Sequence, residues 1–587
     1  MNRLKYRAQP LPENLTLIRR IRRTKYFHSS FVFVLPTIIV GILGGVNQAA
    51  AFSFDTGSDW KVRWDNSVLY NLGFRAQNIK DGIGNSPNFF NEADYKFPNR
   101  GDVVTNRISN LSEFDAVYQG KYGVRVSASV WKDFAYNNDS INHNPAIPPS
   151  DWGANSSGSY SNYTKRYYRQ GGEFLDAFVF SNFDLAGRQA SVKVGRLTQF
   201  WGNALFYGGL GINYGQNPSD SIKALTAPGT QAKELALPRA QLLFQTSLSD
   251  TVSVAAQVFG EFRPNRLPEG GTFLGGIDFG FQGPDRFAAA GGFFVPRGND
   301  VKPSAGDDWG LKLAWAPEWL GGGNLGFYYR KLSETQPWLF LTPTFSDYHL
   351  TYGRDVTLYG VSLDTSIGAV STGFELSYRK NTALNAVKVA QDPSGSQGPT
   401  GNTVQFIANA IYFLPPNALW DTGSVLFELG YQRKLSTTSN SSMEVTENSP
   451  ACFNGGIGGA PPAGDLRFGC HTRQSWGVSV FFDPQWLAVA QGVNLDMPIF
   501  VQYQVKGNTA TVAGGNKEGN LVYSLGLHAQ VDTKYNITLA YNGFHGRTNG
   551  ATTVGPAGSY DAYDYGGNGI NFWNDRNWLS LTLGTTF

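Results

Sequence analysis

The sequence predicts an all-β fold, a transmembrane antiparallel β-barrel of about 18 strands (roughly 16 to 18), with short periplasmic turns and long extracellular loops. Three observations predict it. Apolar and polar residues alternate along most of the chain, the connections are alternately short and long, and the composition suits a surface that partly avoids water. Charged residues make up only 16% of the 587 residues, whereas soluble domains average about 25%.

The N-terminus has the order of a secretory signal peptide. Basic residues come first, an apolar run follows over 31–46, and small residues end at Ala51. The apolar run is short for a transmembrane helix, so we expect a signal peptide over 1–51 and a barrel over 52–587, with a retained anchor as the alternative. Eight of the 48 Lys and Arg residues precede Phe52, against one of the 45 Asp and Glu residues. The remaining chain is therefore slightly acidic, and nucleic acid is not an expected partner.

The last strand is predicted from the C-terminal segment NWLSLTLGTTF, which ends at Phe587. Leu579, Leu581 and Leu583 share one face, and smaller or polar residues share the other, which is the period of a two-faced strand. The apolar face is expected to contact outer-membrane lipids, and the strand is expected to pair with the first strand, near 60–77, because an open sheet edge is too costly in hydrocarbon. A terminal Phe after such alternation resembles the signal that barrel-assembly machinery recognises.

Other strands show the same alternation, for example around Val124, Phe374, Ile499 and Tyr523. Short connections are predicted at 120–123, 186–188, 249–251, 321–323, 368–370 and 532–535. Long loops are predicted at 79–111, 137–171, 203–240, 263–306, 335–354, 382–401, 436–474, 509–519 and 547–576. The best-defined hairpins are 112–136, 172–202, 241–262, 307–334, 355–381 and 520–546. Tryptophans are expected in the interfacial girdles of the barrel, namely Trp131, Trp201, Trp315, Trp319 and Trp486.

Several stretches together resemble one family of proteins. They are FSFDTGSDWKVRWDNSVLYNLGFR (52–75), GRLTQFWGNALFYGGLGINYGQNPSD (195–220), APGTQAKELALPRAQ (227–241) and DVTLYGVSLDTSIGAVSTGFELSYRKN (355–381). They resemble the domain-of-unknown-function 1302 family of proteobacterial, often pseudomonad, outer-membrane proteins. The resemblance implies an outer-membrane barrel in a Gram-negative bacterium. It implies little about activity beyond an association of some members with partner proteins and the traffic of hydrophobic compounds or lipids, and it transfers no catalytic residues.

Polar residues on the inward parity of the strands are candidates to line the lumen. Glu375 and Arg379 lie on the same face, where an ion pair that stiffens the wall is the alternative to a functional role. His528 is expected to be a polar lumen residue rather than a general base. The candidates are Arg125, Lys193, Glu375, Arg379, Gln502, Gln504 and His528.

The long loop 203–240 is the most informative segment for mechanism. A loop that folds inward narrows a wide barrel, so we predict a constriction or partial plug here, with a helical turn at 231–237. The alternative is a packed extracellular cap without a gating role. The candidate constriction residues are Asn213, Asp220, Lys223, Glu234 and Arg239.

Cys452 and Cys470 lie in one loop of an exported chain, and we expect them to form a disulfide. A single adjacent histidine, His471, is weak evidence for a metal site, so neither a metal nor another cofactor is predicted.

The sequence contains no H-E-x-x-H, G-x-S-x-G or P-loop motif, and an enzyme is not expected.

The predicted function is an outer-membrane channel or uptake barrel, with a small hydrophobic or amphipathic compound as the expected solute. Two alternatives remain open. The first is an outer-membrane enzyme of the lipase or esterase type, and the second is a non-conducting barrel that binds a ligand or docks a partner. Periplasmic or transport proteins are candidate partners.

Overall fold

The computed structural model describes residues 52–55, 59–84, 92–149, 152–289, 293–386, 390–391, 397–448, 470–548, 551–554, 560–563 and 569–587. The predicted signal peptide and Cys452 lie outside these ranges. The described chain forms an 18-strand antiparallel barrel. Its strands are β1 Trp60–Arg75, β2 Val103–Tyr118, β3 Tyr122–Asp133, β4 Gln170–Leu185, β5 Arg188–Leu197, β6 Arg239–Ser247, β7 Val252–Phe259, β8 Trp309–Trp315, β9 Asn324–Leu332, β10 Val356–Ile367, β11 Val370–Ala383, β12 Thr400–Phe413, β13 Thr422–Ser439, β14 Gln474–Ala490, β15 (Val493–Asp496 and Ile499–Lys506), β16 Leu521–Val531, β17 Tyr535–His545 and β18 Trp578–Thr586.

Each strand pairs antiparallel with its neighbours in the chain, and the last pairs with the first. The closing ladder runs from Ser67 opposite Thr586 to Arg75 opposite Trp578. The short segment Phe52–Asp55 also pairs with β1, next to the end of β18. Because every strand edge along the wall is paired, the backbone hydrogen bonds are satisfied without water, as a lipid environment requires.

The remaining elements lie in the loops. The loop strands are Arg286–Ala289, Phe293–Pro296, Pro337–Leu341, Tyr348–Tyr352, Ala390–Gln391, Ala551–Val554 and Tyr560–Tyr563. The short helices are Asp81–Gly84, Asn162–Thr164, Lys165–Arg169, Ser221–Thr226 and Ala232–Leu235, and the single 3-10 turns are Phe134–Tyr136, Glu318–Leu320, Ser441–Met443 and Asn571–Trp573. Within the described residues, no helix is long and apolar enough to cross a membrane.

The two faces of the wall have the predicted parity. Val130, Leu539 and Leu579 point outward and are exposed at the surface that contacts lipid, whereas Ser129 and Ser580 point inward and are buried. This alternation places an apolar band around the barrel and a polar wall around the lumen, which is the pattern of an outer-membrane barrel.

Two details of the sequence prediction were wrong. The predicted loop 79–111 ends earlier, because β2 begins at Val103. The first residues of β2 include few large apolar side chains, so in the sequence they resemble a loop. Trp131 and Trp201 do not belong to an interfacial girdle, since both are buried. The guanidinium of Arg107 and the ammonium of Lys223 stack on the Trp131 ring inside the lumen.

The outward face provides a test of the membrane-spanning band. Leu539 lies midway along β17 and Tyr535 begins that strand on the same face. We expect Leu539→Arg to lower the free energy of unfolding by about 2–4 kcal/mol and Tyr535→Arg by about 0–1 kcal/mol, because the cost of a charge depends on its depth in the bilayer. Urea unfolding of the barrel in lipid vesicles measures both. An equal loss of unfolding free energy in the two variants would contradict the assignment of this outward apolar face to the membrane-spanning band.

Candidate functional site

Residues 198–238, which join β5 to β6, enter the barrel and are called the crossing loop here. Glu428 on β13 lies far from these two strands around the wall, yet its carboxylate binds the tip of the loop. It accepts hydrogen bonds from the backbone N–H groups of Leu205 (2.5 Å), Phe206 (2.7 Å) and Tyr207 (2.6 Å). A carboxylate that accepts several N–H groups makes strong, directional contacts, so the tip is fixed against the far wall.

A second carboxylate, Glu375 on β11, holds the next part of the loop. It accepts from the N–H groups of Ala204 (2.8 Å) and Ile212 (2.7 Å), and also from that of Asn203. Glu375 is almost completely buried. The backbone of the loop therefore folds around this side chain as if around a fixed anion.

Arginines on the same wall bind the carbonyl groups of the crossing loop. Arg379 on β11 donates to Gly209 O (2.9 Å) and Gly211 O (2.8 Å). Arg330 on β9 donates to the carbonyls of residues 212 and 214, both at 2.6 Å. The wall thus presents acceptors to the N–H groups and donors to the C=O groups of the loop. In the structure, Glu375 and Arg379 each bind the backbone of the crossing loop, instead of forming the ion pair with each other that was the alternative.

The second half of the crossing loop returns to the near wall. Asn71 on β1 donates to Pro228 O (2.7 Å), and Gln231 donates to Ser67 (3.1 Å). Lys223 forms an ion pair with Glu234 (3.2 Å) inside the loop. Because β1 lies opposite β11 to β13 in the ring of strands, the loop spans the lumen from wall to wall.

The predicted constriction residues lie in or beside this loop. Asp220 caps the helix Ser221–Thr226 by accepting from the Lys223 N–H (3.0 Å), and its carboxylate pairs with Arg266. Arg239 donates to Gly215 O (2.8 Å) and to Asp308 (2.7 Å). The sequence predicted one helical turn near Glu234, which is present as Ala232–Leu235, but not the helix that Asp220 caps. Asn213 is half-buried at the bend of the loop. That these residues line a constriction stays a prediction.

The loop between β7 and β8, described at 260–289 and 293–308 and called the cap loop here, contacts the crossing loop, where the Ser219 N–H donates to Asn265 (2.9 Å). Trp573 donates to Gly275 O (3.1 Å), and the Ala93 N–H donates to Asp278 (2.9 Å). Arg576 binds both Phe273 O and the carboxylate of Asp94. These contacts tie the cap loop to the first and the last long loops and close the outer half of the barrel.

The turn-side half of the lumen is polar and partly exposed. His528 contacts Asp496 (2.6 Å) and Asn536 (3.2 Å). Arg125 forms an ion pair with Glu113 (2.5 Å). Lys193 lies 5.8 Å from the centre of the Phe178 ring.

The two glutamines that were predicted to line the lumen, Gln502 and Gln504, lie towards the loop end of β15. Gln502 donates to Ser479 Oγ (2.9 Å), and Gln504 donates to Gly507 O (3.2 Å). Both side chains are inward-facing and buried.

The sequence analysis missed an apolar row on the inward face of consecutive strands β12 to β18. Ile411 is in register with Leu426, Leu426 with Phe481, and Phe481 with Phe500. Val522 and Phe544 are in register with each other and continue the row diagonally. The members of this apolar row are Ile411, Leu426, Phe481, Phe500, Val522, Phe544 and Trp578, and they pack in one cluster. Inward residues of a wide barrel are usually polar, so this row is a departure that each strand alone does not reveal.

The apolar row runs between the two ends of the barrel. Ile411 lies near the turn end of β12, and Trp578 begins β18 at the loop end. Phe206 at the tip of the crossing loop packs on Phe500, with ring centres 5.3 Å apart. The tip therefore covers the middle of the row, while Ile411 stays half-buried beneath it.

Among the described residues, no cluster of His, Cys, Asp and Glu side chains has the arrangement of a metal site. Cys470 is fully buried, and its carbonyl accepts from Asn508 (2.7 Å). The predicted disulfide to Cys452 stays a prediction, because Cys452 lies outside the described residues.

A closed barrel with an apolar outer band and a polar inner wall defines an outer-membrane β-barrel of a Gram-negative bacterium. The chain belongs to the family described as protein of unknown function (DUF1302), whose profile matches residues 33–587. The comparison with curated proteins gave no match.

Solved structures of outer-membrane proteins are similar over most of their length. Pseudomonas aeruginosa OccD3 (OpdP) has 11% identity and a TM-score of 0.37, covering 92% of this chain and 94% of that chain. Acinetobacter baumannii OccAB4 has 8% identity and a TM-score of 0.39, with 90% and 98% covered. The outer-membrane channel DcaP of Acinetobacter baumannii has 9% identity and a TM-score of 0.34, with 91% and 99% covered. Scores this low carry no inference about function, which rests on the lumen itself.

The cap loop contains a carboxyl group that provides a pH test. Glu269 is fully buried, and burial raises its pKa from 4.5 to about 8, against hydrogen bonds from Thr164 and from Ser161 (2.7 Å). A raised pKa means that the folded protein holds a proton that the unfolded chain releases. The stability from this group is therefore complete below pH 4.5 and is lost as the pH rises through about 8.

We expect the thermal stability of the folded barrel to fall between about pH 5 and about pH 9, and Glu269→Gln to make that fall smaller. Gln keeps the shape of the side chain but cannot ionise. Thermal denaturation of both proteins in the same detergent is the measurement. An equal fall in the variant would show that Glu269 is not the group responsible.

Proposed function

We propose that the protein is an outer-membrane channel that takes up a small hydrophobic or amphipathic compound, and that the crossing loop holds it in a closed state. The observation that carries this proposal is the apolar row, which lines the lumen wall from the loop end to the turn end. The row also packs against the long loops at its extracellular end, but Ile411 extends it below the tip of the crossing loop.

The width of the barrel is the first support. Barrels of about 16 to 18 strands enclose more space than the wall side chains fill. Here the crossing loop and the cap loop fill the outer half, while Lys193 and His528 in the turn-side half remain partly exposed. A filled outer half above a partly exposed inner half suits a channel that opens when its loops move.

The geometry of the apolar row is the second support. Six spacings of about 4.8 Å between strands give a path of roughly 29 Å across the wall, and because barrel strands tilt by about 35–45°, this path also rises along the barrel axis. Along this path a hydrophobic compound exchanges one apolar contact for the next and never faces a polar wall alone. The polar vestibule beyond Ile411 suits the polar end of an amphipathic compound.

The path through the barrel is tested at Phe500, the centre of the apolar row. We expect Phe500→Gln to lower the flux of a small hydrophobic probe into proteoliposomes about tenfold, because it removes a large apolar contact. Tyr328→Gln is the control, since Tyr328 is a buried inward ring on β9, away from the row. Equal losses in the two variants would contradict the proposed path.

The closing role of the crossing loop is tested by its anchors. Replacing Glu375 and Glu428 by Ala leaves several buried N–H groups of the loop without acceptors, at a cost of about 1–3 kcal/mol each. We expect the single-channel conductance of this double variant to rise, and deletion of 210–235 to raise it further.

The control for this experiment is Asp483→Ala, which removes a buried inward carboxylate that binds Gln485 (2.9 Å). Its conductance should equal that of the unmodified protein. Unchanged conductance in both the double variant and the deletion would refute closure by the crossing loop.

The other sequence-based expectations are part of this proposal. We propose that the protein is not an enzyme, which assays of the folded barrel with p-nitrophenyl esters would test. Residues 1–51 are proposed to be a cleaved signal peptide, and Cys452 to pair with Cys470. The proposed partners are outer-membrane lipids, the barrel-assembly machinery acting on the strand that ends at Phe587, and periplasmic transport proteins.

A further inference from the structure

The ring of Tyr207 in the crossing loop occupies a slot made by two glycines of the lumen wall. Gly430 on β13 and Gly477 on β14 are directly opposite each other in the sheet and both face inward. A Cβ atom at Gly430 would lie 2.7 Å from Cγ of Tyr207, and one at Gly477 would lie 2.5 Å from Oε1 of Gln504 and 2.6 Å from the Tyr207 hydroxyl. Any other residue at either position would fill the slot, which is called the glycine niche here.

The hydroxyl end of the glycine niche is lined by Ser479 and Gln502, on β14 and β15. Gln502 is only 4% exposed and donates to Ser479 Oγ (2.9 Å). Within the described part of the chain, the buried Gln502 Oε1 has no hydrogen-bond partner, although the Tyr207 hydroxyl lies against Gln502 and Ser479. Buried polar atoms are nearly always paired, so Gln502 Oε1 is an acceptor that the Tyr207 side chain leaves unused at the polar end of the niche.

Tyr207 is also not needed to hold the loop tip. The backbone N–H groups of residues 205–207 are bound by Glu428, independently of the Tyr207 ring. The Glu428 anchor therefore does not depend on the position of the Tyr207 ring. The niche adjoins the apolar row, since Phe206 beside it packs on Phe500.

We propose that the glycine niche is a binding site for a small neutral ring that carries one hydroxyl group, and that Tyr207 occupies it in the closed state. The ligand hydroxyl donates to Gln502 Oε1 and accepts from the Ser479 hydroxyl, and the ring lies between the two glycines. This inference rests on the proposed channel function, and it specifies phenol-type compounds as the solute class. Such a compound competes with Tyr207 for the niche and then continues along the apolar row.

The test measures binding, without transport, to the refolded barrel in lipid nanodiscs. Fluorine NMR compares p-fluorophenol with fluorobenzene, which lacks the hydroxyl group. We expect Tyr207→Ala to bind p-fluorophenol about fivefold more tightly than fluorobenzene, the ratio that one or two net hydrogen bonds provide. The unmodified protein and Tyr207→Phe should bind p-fluorophenol more weakly than Tyr207→Ala does, because a ring already fills the niche.

Two further variants separate the niche from a simple cavity. Phe206→Ala removes the neighbouring ring, which is surrounded by apolar side chains. We expect this variant to bind p-fluorophenol no more tightly than fluorobenzene. Tyr207→Ala combined with Gly477→Ala places a methyl group where the hydroxyl must lie, and we expect it to abolish the preference. A mobility shift on unboiled gels confirms that each variant is folded.

The outcomes distinguish this inference from the proposed function. If Tyr207→Ala binds both probes equally, or if the added Gly477→Ala leaves the preference intact, the phenol niche is refuted while the channel proposal stands. If the niche binds as expected but proteoliposomes pass no hydrophobic probe, the channel proposal fails and the niche remains as a binding site.

Discussion

The structure depends on one constraint, that a backbone hydrogen-bonding group cannot remain unpaired in hydrocarbon. The pairing of β1 with β18 meets it by removing the two free edges of the sheet. Closure also has a geometric consequence, because a ring of this many strands encloses a space that its own side chains do not fill. The long loops fill that space, and the function must be sought in how they are held there.

The crossing loop is held by buried charges that bind backbone rather than each other. Glu375 and Glu428 receive N–H groups, while Arg330 and Arg379 donate to C=O groups. Burying single charges is costly unless their hydrogen bonds are complete. The irregular backbone of a loop inside a barrel supplies many N–H and C=O groups that can complete them. The arrangement fixes one loop conformation and concentrates the closing contacts on few side chains.

The lumen combines two surfaces that are usually separate in barrels. The apolar row on β12 to β18 continues the packing of the outer loops down the wall, and the turn-side vestibule around Arg125 and His528 is polar. The crossing loop covers the row at Phe206 and the glycine niche at Tyr207. A compound with an apolar body and one polar group is complementary to both surfaces, whereas a fully polar compound suits only the second.

The sequence by itself determined the closed barrel, the strand faces and the alternation of turns and loops, because the period of two is local and lipid imposes it on every strand. Leu579 and Leu583 were placed outward correctly on that basis alone. Only the tertiary structure decided which inward residues meet. Ile411 and Trp578 belong to one row, and Gly430 faces Gly477 across a strand pair, because register between strands joined by long loops is not encoded in either strand. For the same reason, alternation could not show that Trp131 contacts loop side chains or that Glu375 and Arg379 bind the backbone of a loop from the opposite wall.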